Sequence, residues 1–325
     1  MRFVPPVRRL VQGAFALFCL VVGYRFYHFF LWATGDGAFV SRPASVEAFL
    51  PVGALVSFKK LLLTGHYDRL HPAGLTIFMA ALAIALLFRK GFCGWICPIG
   101  FLFDLQEAVV ARFRRPLRLP GWLDYPLRSL KYLLLGAFLY LIGWQMDLQA
   151  IDGFMRSPYN VMVDARMLGF FLHPSAMAIG FFIFLFAAAM VLRNFWCRFL
   201  CPYGGLLGLM ASFSPLQVKR DGSSCIDCRR CEKVCPGAIR ITAKEVVRSP
   251  ECVGCLECVV VCPVQDCLTL SLAGRKKMPL FLLPVGVVAL LLTFYLVAKL
   301  SGHWESAIPV ELFKKMYGLS LRTGH

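Results

Sequence analysis

"HPSAMAIGFFIFLFAAAMVLRNFWCRFLCPYGGLLGL", residues 173–209, carries the pattern that decides the fold. It opens on His-Pro and runs through an apolar stretch long enough for one membrane crossing. It then turns at Cys197 and Cys201, four apart, with Pro202 after the second. Residues 71–105, "HPAGLTIFMAALAIALLFRKGFCGWICPIGFLFDL", repeat it. Both copies read Arg-x-x-aromatic-Cys-x-x-x-Cys-Pro-x-Gly-x-Leu-x-x-Leu. Arg89 matches Arg193, Phe92 matches Trp196, Cys93 and Cys97 match Cys197 and Cys201, Pro98 matches Pro202, and Gly100 matches Gly204. So many spaced identities point to a duplicated pair of helices in the same orientation, a parallel repeat about the membrane normal. Arg89 and Arg193 are expected at the membrane edge. Proline is tolerated at the first position of a helix, so Pro98 and Pro202 should start short surface helices. Four thiols converge if the copies lie side by side. The residue types leave three roles open for Cys93, Cys97, Cys197 and Cys201: a third metal or cluster site, redox-active thiol pairs, or packing.

Around this repeat the 325-residue chain is 58% hydrophobic with a formal charge of +17. Soluble domains hold about 45–50% apolar residues, and the excess here lies in blocks. Five stretches, about 10–32, 73–89, 128–146, 174–192 and 279–298, suit a hydrocarbon core of about 30 Å. The first lacks a small-x-small cleavage site and reads as a span, not a signal peptide. With the N-terminus inside, 24 of the 35 Lys and Arg fall on inside segments and 10 on outside ones. That bias sets the expected topology: N-terminus in, C-terminus out. It also accounts for the basic charge without nucleic acid. The membrane is the cell inner membrane, and its lipid is the expected surroundings. All cysteine motifs then face the reducing cytoplasm, and 14 cysteines in a long greasy chain do not suit a secreted disulfide scaffold.

The expected fold is an α-helical integral membrane protein with an inserted α+β two-cluster ferredoxin-like domain. The first repeat takes residues 1–127, the second 128–214, the ferredoxin domain 215–275, and the last span with its outside tail 276–325. "CIDCRRCEKVCP" (225–236) and "CVGCLECVVVCP" (252–263) both read C-x2-C-x2-C-x3-C-P, the bacterial two-[4Fe–4S] run in which the fourth cysteine serves the other cluster. Cys225, Cys228, Cys231 and Cys262 should hold one cube, and Cys252, Cys255, Cys258 and Cys235 the second. A zinc site would want four ligands, not eight in this cadence. Cys19 and Cys267 fall outside the pattern and read as spare core thiols.

With "CGWICPIG" (93–100), "WCRFLCPYG" (196–204) and the tandem runs in hand, the chain resembles the NapH/NosR/CcoG-like family of polytopic membrane iron–sulfur proteins over roughly residues 10–298. The resemblance implies electron transfer linked to the quinone pool and a redox partner protein, with quinol dehydrogenation as a component activity. The CcoG-like branch implies instead copper reduction during oxidase assembly. Met146, Met155, Met162 and Met167 would suit soft Cu(I). A redox-sensing regulatory protein is the third reading.

Quinol oxidation releases two protons and needs His or carboxylate acceptors. Ionisable residues near a membrane often mark functional sites. Arg25, Tyr27 and His28 at the end of the first span, and Glu47, His66, Asp68 and His71 in the first outside loop, are the candidates, beside interfacial anchoring. Such a site would lie about 30 Å from the inner clusters. Haem b on His71 and His173 would bridge the gap but is not the expected cofactor, and the chain has no C-x-x-C-H.

Overall fold

The computed structural model describes residues 4–113, 117 and 119–322. Apolar stretches without internal breakers become helices, and prolines and left-handed residues punctuate them. The membrane half contains α1 (Val4–Thr34), α2 (Pro51–Thr64), α3 (Pro72–Phe88), α4 (Pro98–Val110), α5 (Gly121–Phe138), α6 (Leu148–Arg156), α7 (Pro158–Val161), α8 (Val163–Leu172), α9 (Ala176–Val191) and α10 (Pro202–Ser212). The cluster module contains β1 (Leu216–Arg220), α11 (Arg230–Val234), β2 (Val246–Val247), α12 (Glu257–Val261), β3 (Leu268–Leu272) and β4 (Lys276–Lys277). α13 (Leu282–Leu300) and α14 (Val310–Arg322) end the chain.

Among the described residues three helices are by themselves long and apolar enough to cross a membrane: Val4–Thr34, Gly121–Gln145 and Leu282–Leu300. A fourth span arises if α8 and α9, bent by 76°, count together. Five were expected, and local chemistry accounts for the difference. α3 has 17 residues and ends where Arg89 adopts φ 61°. His173-Pro174 interrupts the other run, because a residue before proline avoids the helical region. Large apolar side chains along these helices remain exposed, among them Leu10 at 74%, Leu20 at 71% and Met177 at 86%. Contiguous surfaces of that kind suit hydrocarbon, not water.

The two Cys-x-x-x-Cys turns follow the same path. Each begins as a single π-turn, Phe92–Ile96 in one copy and Trp196–Leu200 in the other. Cys97 and Cys201 then cap the following helices in extended conformation, with Pro98 and Pro202 in the first turn. Single π-turns recur at functional sites. The helix starts match expectation because proline has no N–H to lose there.

The module's sheet is antiparallel in the order β2-β1-β3-β4, with β1 and β3 paired from Leu216–Leu272 to Arg220–Leu268. α11 and α12 carry Cys231 and Cys258, and the last cysteines of the runs, Cys235 and Cys262, cap their C-terminal ends. The sheet's core of Val218, Ile241, Val247 and Leu270 continues into Trp95 and Ile96 of the first turn and Leu283 and Val287 of α13.

The chain divides into two compact units. The first comprises Met1–Ala16, Ala81–Gly136 and Ile183–Leu291, and the second Leu17–Ala80, Ala137–Phe182 and Leu292–His325. The cysteine turns and cluster module belong to the first unit. Residues 46–72, expected as the first outside loop, belong to the second.

Candidate iron–sulfur sites

Within the first unit the two ferredoxin runs line two cavities. One is lined by Cys225, Cys228, Cys231 and Cys262, with Arg220, Arg229 and Cys267 also in its wall. The other is lined by Cys235, Cys252, Cys255 and Cys258. Each cavity thus collects three cysteines of one run and the fourth of the other. The local backbone explains the crossing. Residues three and five of each run are left-handed: Asp227 (φ 49°) and Arg229 (φ 55°) in one, Gly254 (φ 65°) and Leu256 (φ 62°) in the other. That path curls the first three cysteines of a run together. The following helix carries the fourth away, and α11 packs on α12. Burial pushes the Cys255 and Cys258 thiols well above their ordinary value. Anionic thiolates there need a cationic partner such as iron.

A third cavity is lined by Cys93 and Cys197 together with Arg8, Lys90, Asp104, Asn194, Arg198, Pro236, Gly237, Glu251 and Val253. Cys197 stands among Cys93, Cys97 and Cys201, so the structure gathers the four repeat thiols. Burial pushes Cys93 up to about 12 and Cys197 well above the usual thiol value. Burial opposes the charge of Lys90, but nearby Cys93, Glu251, Cys201 and Cys197 hold its pKa above normal. Arg198 Nε and Asn194 Oδ1 are buried there without a partner. Among the described residues no three His, Cys, Asp or Glu side chains gather tightly enough for one metal ion. The thiols of the two runs instead line cavities, and Cys93 and Cys197 line the third.

The third cavity and that of the second run share Pro236, Gly237, Glu251 and Val253 as walls. Backbone contacts hold them together. Trp95 Nε1 donates to the Gly254 carbonyl at 3.0 Å. Gly94 lies so close to the Val253 carbonyl that an added Cβ would collide with it. Arg8 joins the same joint, pairing with Asp104 and Glu257 and donating to the Gly94 carbonyl. Lys131 pairs with Glu251 at 2.6 Å, both buried.

The repeat arginines do more than mark an edge. Arg89 is 1% exposed and donates to the carbonyls of Ala211 and Ser249. Arg193 donates to the carbonyls of Lys233 and Cys235 and pairs with Glu107. Each therefore fastens a repeat turn to backbone beside a cysteine run. Composition alone could not show this, because a guanidinium beside an apolar stretch reads equally as an interfacial anchor.

In the second unit the outside-loop candidates do not form one site. Glu47 and His71 meet, Nδ1 to Oε1 3.3 Å, and His71 Nε2 donates to the Asn160 carbonyl at 2.9 Å. Glu47 also pairs with Arg42 at 2.8 Å, and Arg42 with Asp164 at 2.7 Å. Tyr317 donates to Asp164 at 2.6 Å. Burial opposes protonation of His71, but the hydrogen bond and charge of Glu47 hold its pKa above normal. Glu47, Asp164, Arg42 and His71 thus make one largely buried group. Asp68 is taken up by Ser57 and the Leu70 amide, and Arg25 by Ser41. His28 stacks edgewise on Tyr24 and Tyr27, and His66 is exposed. His71 has both ring nitrogens engaged, and His173 is exposed at the end of α8. The sequence reading missed Arg42, Asp164 and Tyr317, which are 5 to more than 240 positions from Glu47. Of the methionines, Met155 and Met162 are buried in apolar clusters and Met146 packs against one.

A family model described as "4Fe-4S binding domain" matches residues 70–118 and again 174–220. One described as "4Fe-4S dicluster domain" matches 219–270. The chain is similar to the putative electron transport protein YccM of Escherichia coli (strain K12), 40% identical over 294 residues, 88% of this chain and 82% of the relative. It is 33% identical over 204 residues to the uncharacterized protein MJ0749 of Methanocaldococcus jannaschii, 61% of this chain and 72% of the relative. It is 30% identical over 183 residues to the ferredoxin-type protein NapH of Haemophilus influenzae, 55% of this chain and 58% of the relative. No solved structure matches.

Proposed function

The chain belongs to the NapH-like family of 4Fe-4S ferredoxin-type electron transport proteins, and from that premise we propose that it links the quinone pool to a redox partner through three cysteine-lined sites in series. Cys225, Cys228, Cys231 and Cys262 hold one [4Fe–4S] cube, and Cys235, Cys252, Cys255 and Cys258 hold another. Cys93, Cys97, Cys197 and Cys201 hold a third. When bound, such cubes supply one-electron chemistry.

The observation that carries this reading is the wall common to the repeat cavity and the second-run cavity, formed by Pro236, Gly237, Glu251 and Val253. It supports neighbouring centres side by side. Charge supports the third site. In its wall Arg8 is paired with Asp104 and Glu257 and Arg198 with Asp124, while Lys90 faces Cys93, Cys201 and Cys197. A cube with four thiolates is an anion, so a buried ammonium beside the repeat thiols suits such an occupant. On the quinone side, the exposed His66 and the partly exposed His28 are the candidate proton acceptors.

Two measurements test the reading. Iron analysis should give about twelve irons per chain, falling to about eight in Cys201→Ser; an unchanged count removes the third cube. Added quinol should bleach the cluster absorbance of the purified protein. If quinol leaves it untouched while Cu(II) rapidly reoxidises chemically reduced protein, copper reduction replaces the quinone reading.

A further inference from the structure

The two cysteine runs share one backbone path and face opposite surroundings. In the second run, Leu256 is 1% and Cys255 7% exposed, and Val253 and Gly254 carry the contacts with Gly94 and Trp95. Shifting the register by 27 positions turns Val253, Gly254, Leu256 and Glu257 into Ile226, Asp227, Arg229 and Arg230. There Ile226 is 65% exposed, and Cys228, Arg229 and Arg230 are exposed as well. The only charged side chains lining that cavity are Arg220 and Arg229. Across residues 219–233, five cations (Lys219, Arg220, Arg229, Arg230 and Lys233) face two acids outside the core, Asp221 and Asp227.

We infer that this exposed run is the docking face for an acidic, soluble one-electron carrier protein, with Ile226 as apolar contact and Arg229 and Arg230 as charge contacts. The inference rests on the cluster assignment proposed above. The buried run already uses its corresponding residues to seat protein against itself, and its cavity adjoins the repeat site. The cavity lined by Cys225, Cys228, Cys231 and Cys262 does not include that shared wall, so it is the end from which an electron can leave. One electron passes from the reduced cluster to the oxidised carrier, with no bond made or broken. Cationic residues at such an exit raise the encounter rate of an acidic partner, an effect that salt screens.

The test uses the full-length protein in detergent, reduced with dithionite that is then removed, and an acidic flavodoxin in its oxidised form as the probe. The Arg229→Glu/Arg230→Glu variant should reduce flavodoxin at least about tenfold more slowly at low salt, and the gap should close as salt rises. Its iron content should equal that of the parent, which separates a docking failure from failure of the cluster assignment. An unchanged, salt-independent rate overturns the inference. So does phosphatidylglycerol vesicle binding that the variant loses while its flavodoxin rate holds, because the basic face then serves the membrane surface.

Discussion

The runs at 225–235 and 252–262 have the same cadence and left-handed residues at the same two positions, yet one is built into the protein and the other faces outward. The second run is seated by Trp95, Gly94, Arg8 and the pair Lys131–Glu251. The first run is tethered at its end, where Arg193 donates to the Lys233 and Cys235 carbonyls, but its start has local partners, such as the turn in which Asp221 accepts from Ser223 and Ser224. Ligand spacing is therefore one property and surroundings another. The surroundings distinguish an internal relay site from an exit.

The sharpest way to break the contrast is Arg8→Ala. It strands Asp104 and Glu257 without their common cation, and breaking a buried pair costs about 3–5 kcal/mol. Thermal unfolding in detergent should show a large loss, with the second run's cube lost first. Gly94→Ala comes next. Both the added Cβ and the Val253 carbonyl are fixed by backbone, so the overpacking should cost about 1–3 kcal/mol and appear as lowered unfolding temperature and iron content. Trp95→Phe removes one donor from the buried Gly254 carbonyl and should cost about 1–3 kcal/mol. It should also shift the electron paramagnetic resonance signal of that cluster more than that of the first. The smallest effect belongs to the exposed run. Ile226→Ala should change stability by no more than about 0.5 kcal/mol and leave the iron count intact. A loss comparable to Gly94→Ala would show that the two runs are equally embedded.

The spacing of the eight ferredoxin cysteines suggests which three of each run belong together and which fourth crosses over, and the linings of the two cavities are what support that grouping. The prolines after Cys97 and Cys201 announced their helices, because a residue lacking an N–H is accommodated at a helix start. Span number was less legible. Hydropathy does not see that Arg89 turns left-handed or that α8 and α9 bend by 76°. The quinol candidates were gathered from one loop because ionisable groups beside apolar ones attract notice. In the folded chain Glu47 turns to Arg42 and His71 to Asn160, while Asp68 turns to Ser57.

The sequence by itself determined what is local: the cadence of thiols, the repeated turn, helix starts and the apolar length of the long helices. These follow from backbone sterics and short spacings within one segment. Tertiary structure decided which thiols share a cavity wall, that Arg8 bridges Asp104 and Glu257, and that one cluster run is buried while its twin is exposed. Those outcomes depend on partners about 100 to 250 positions apart, brought together by packing that no single segment encodes.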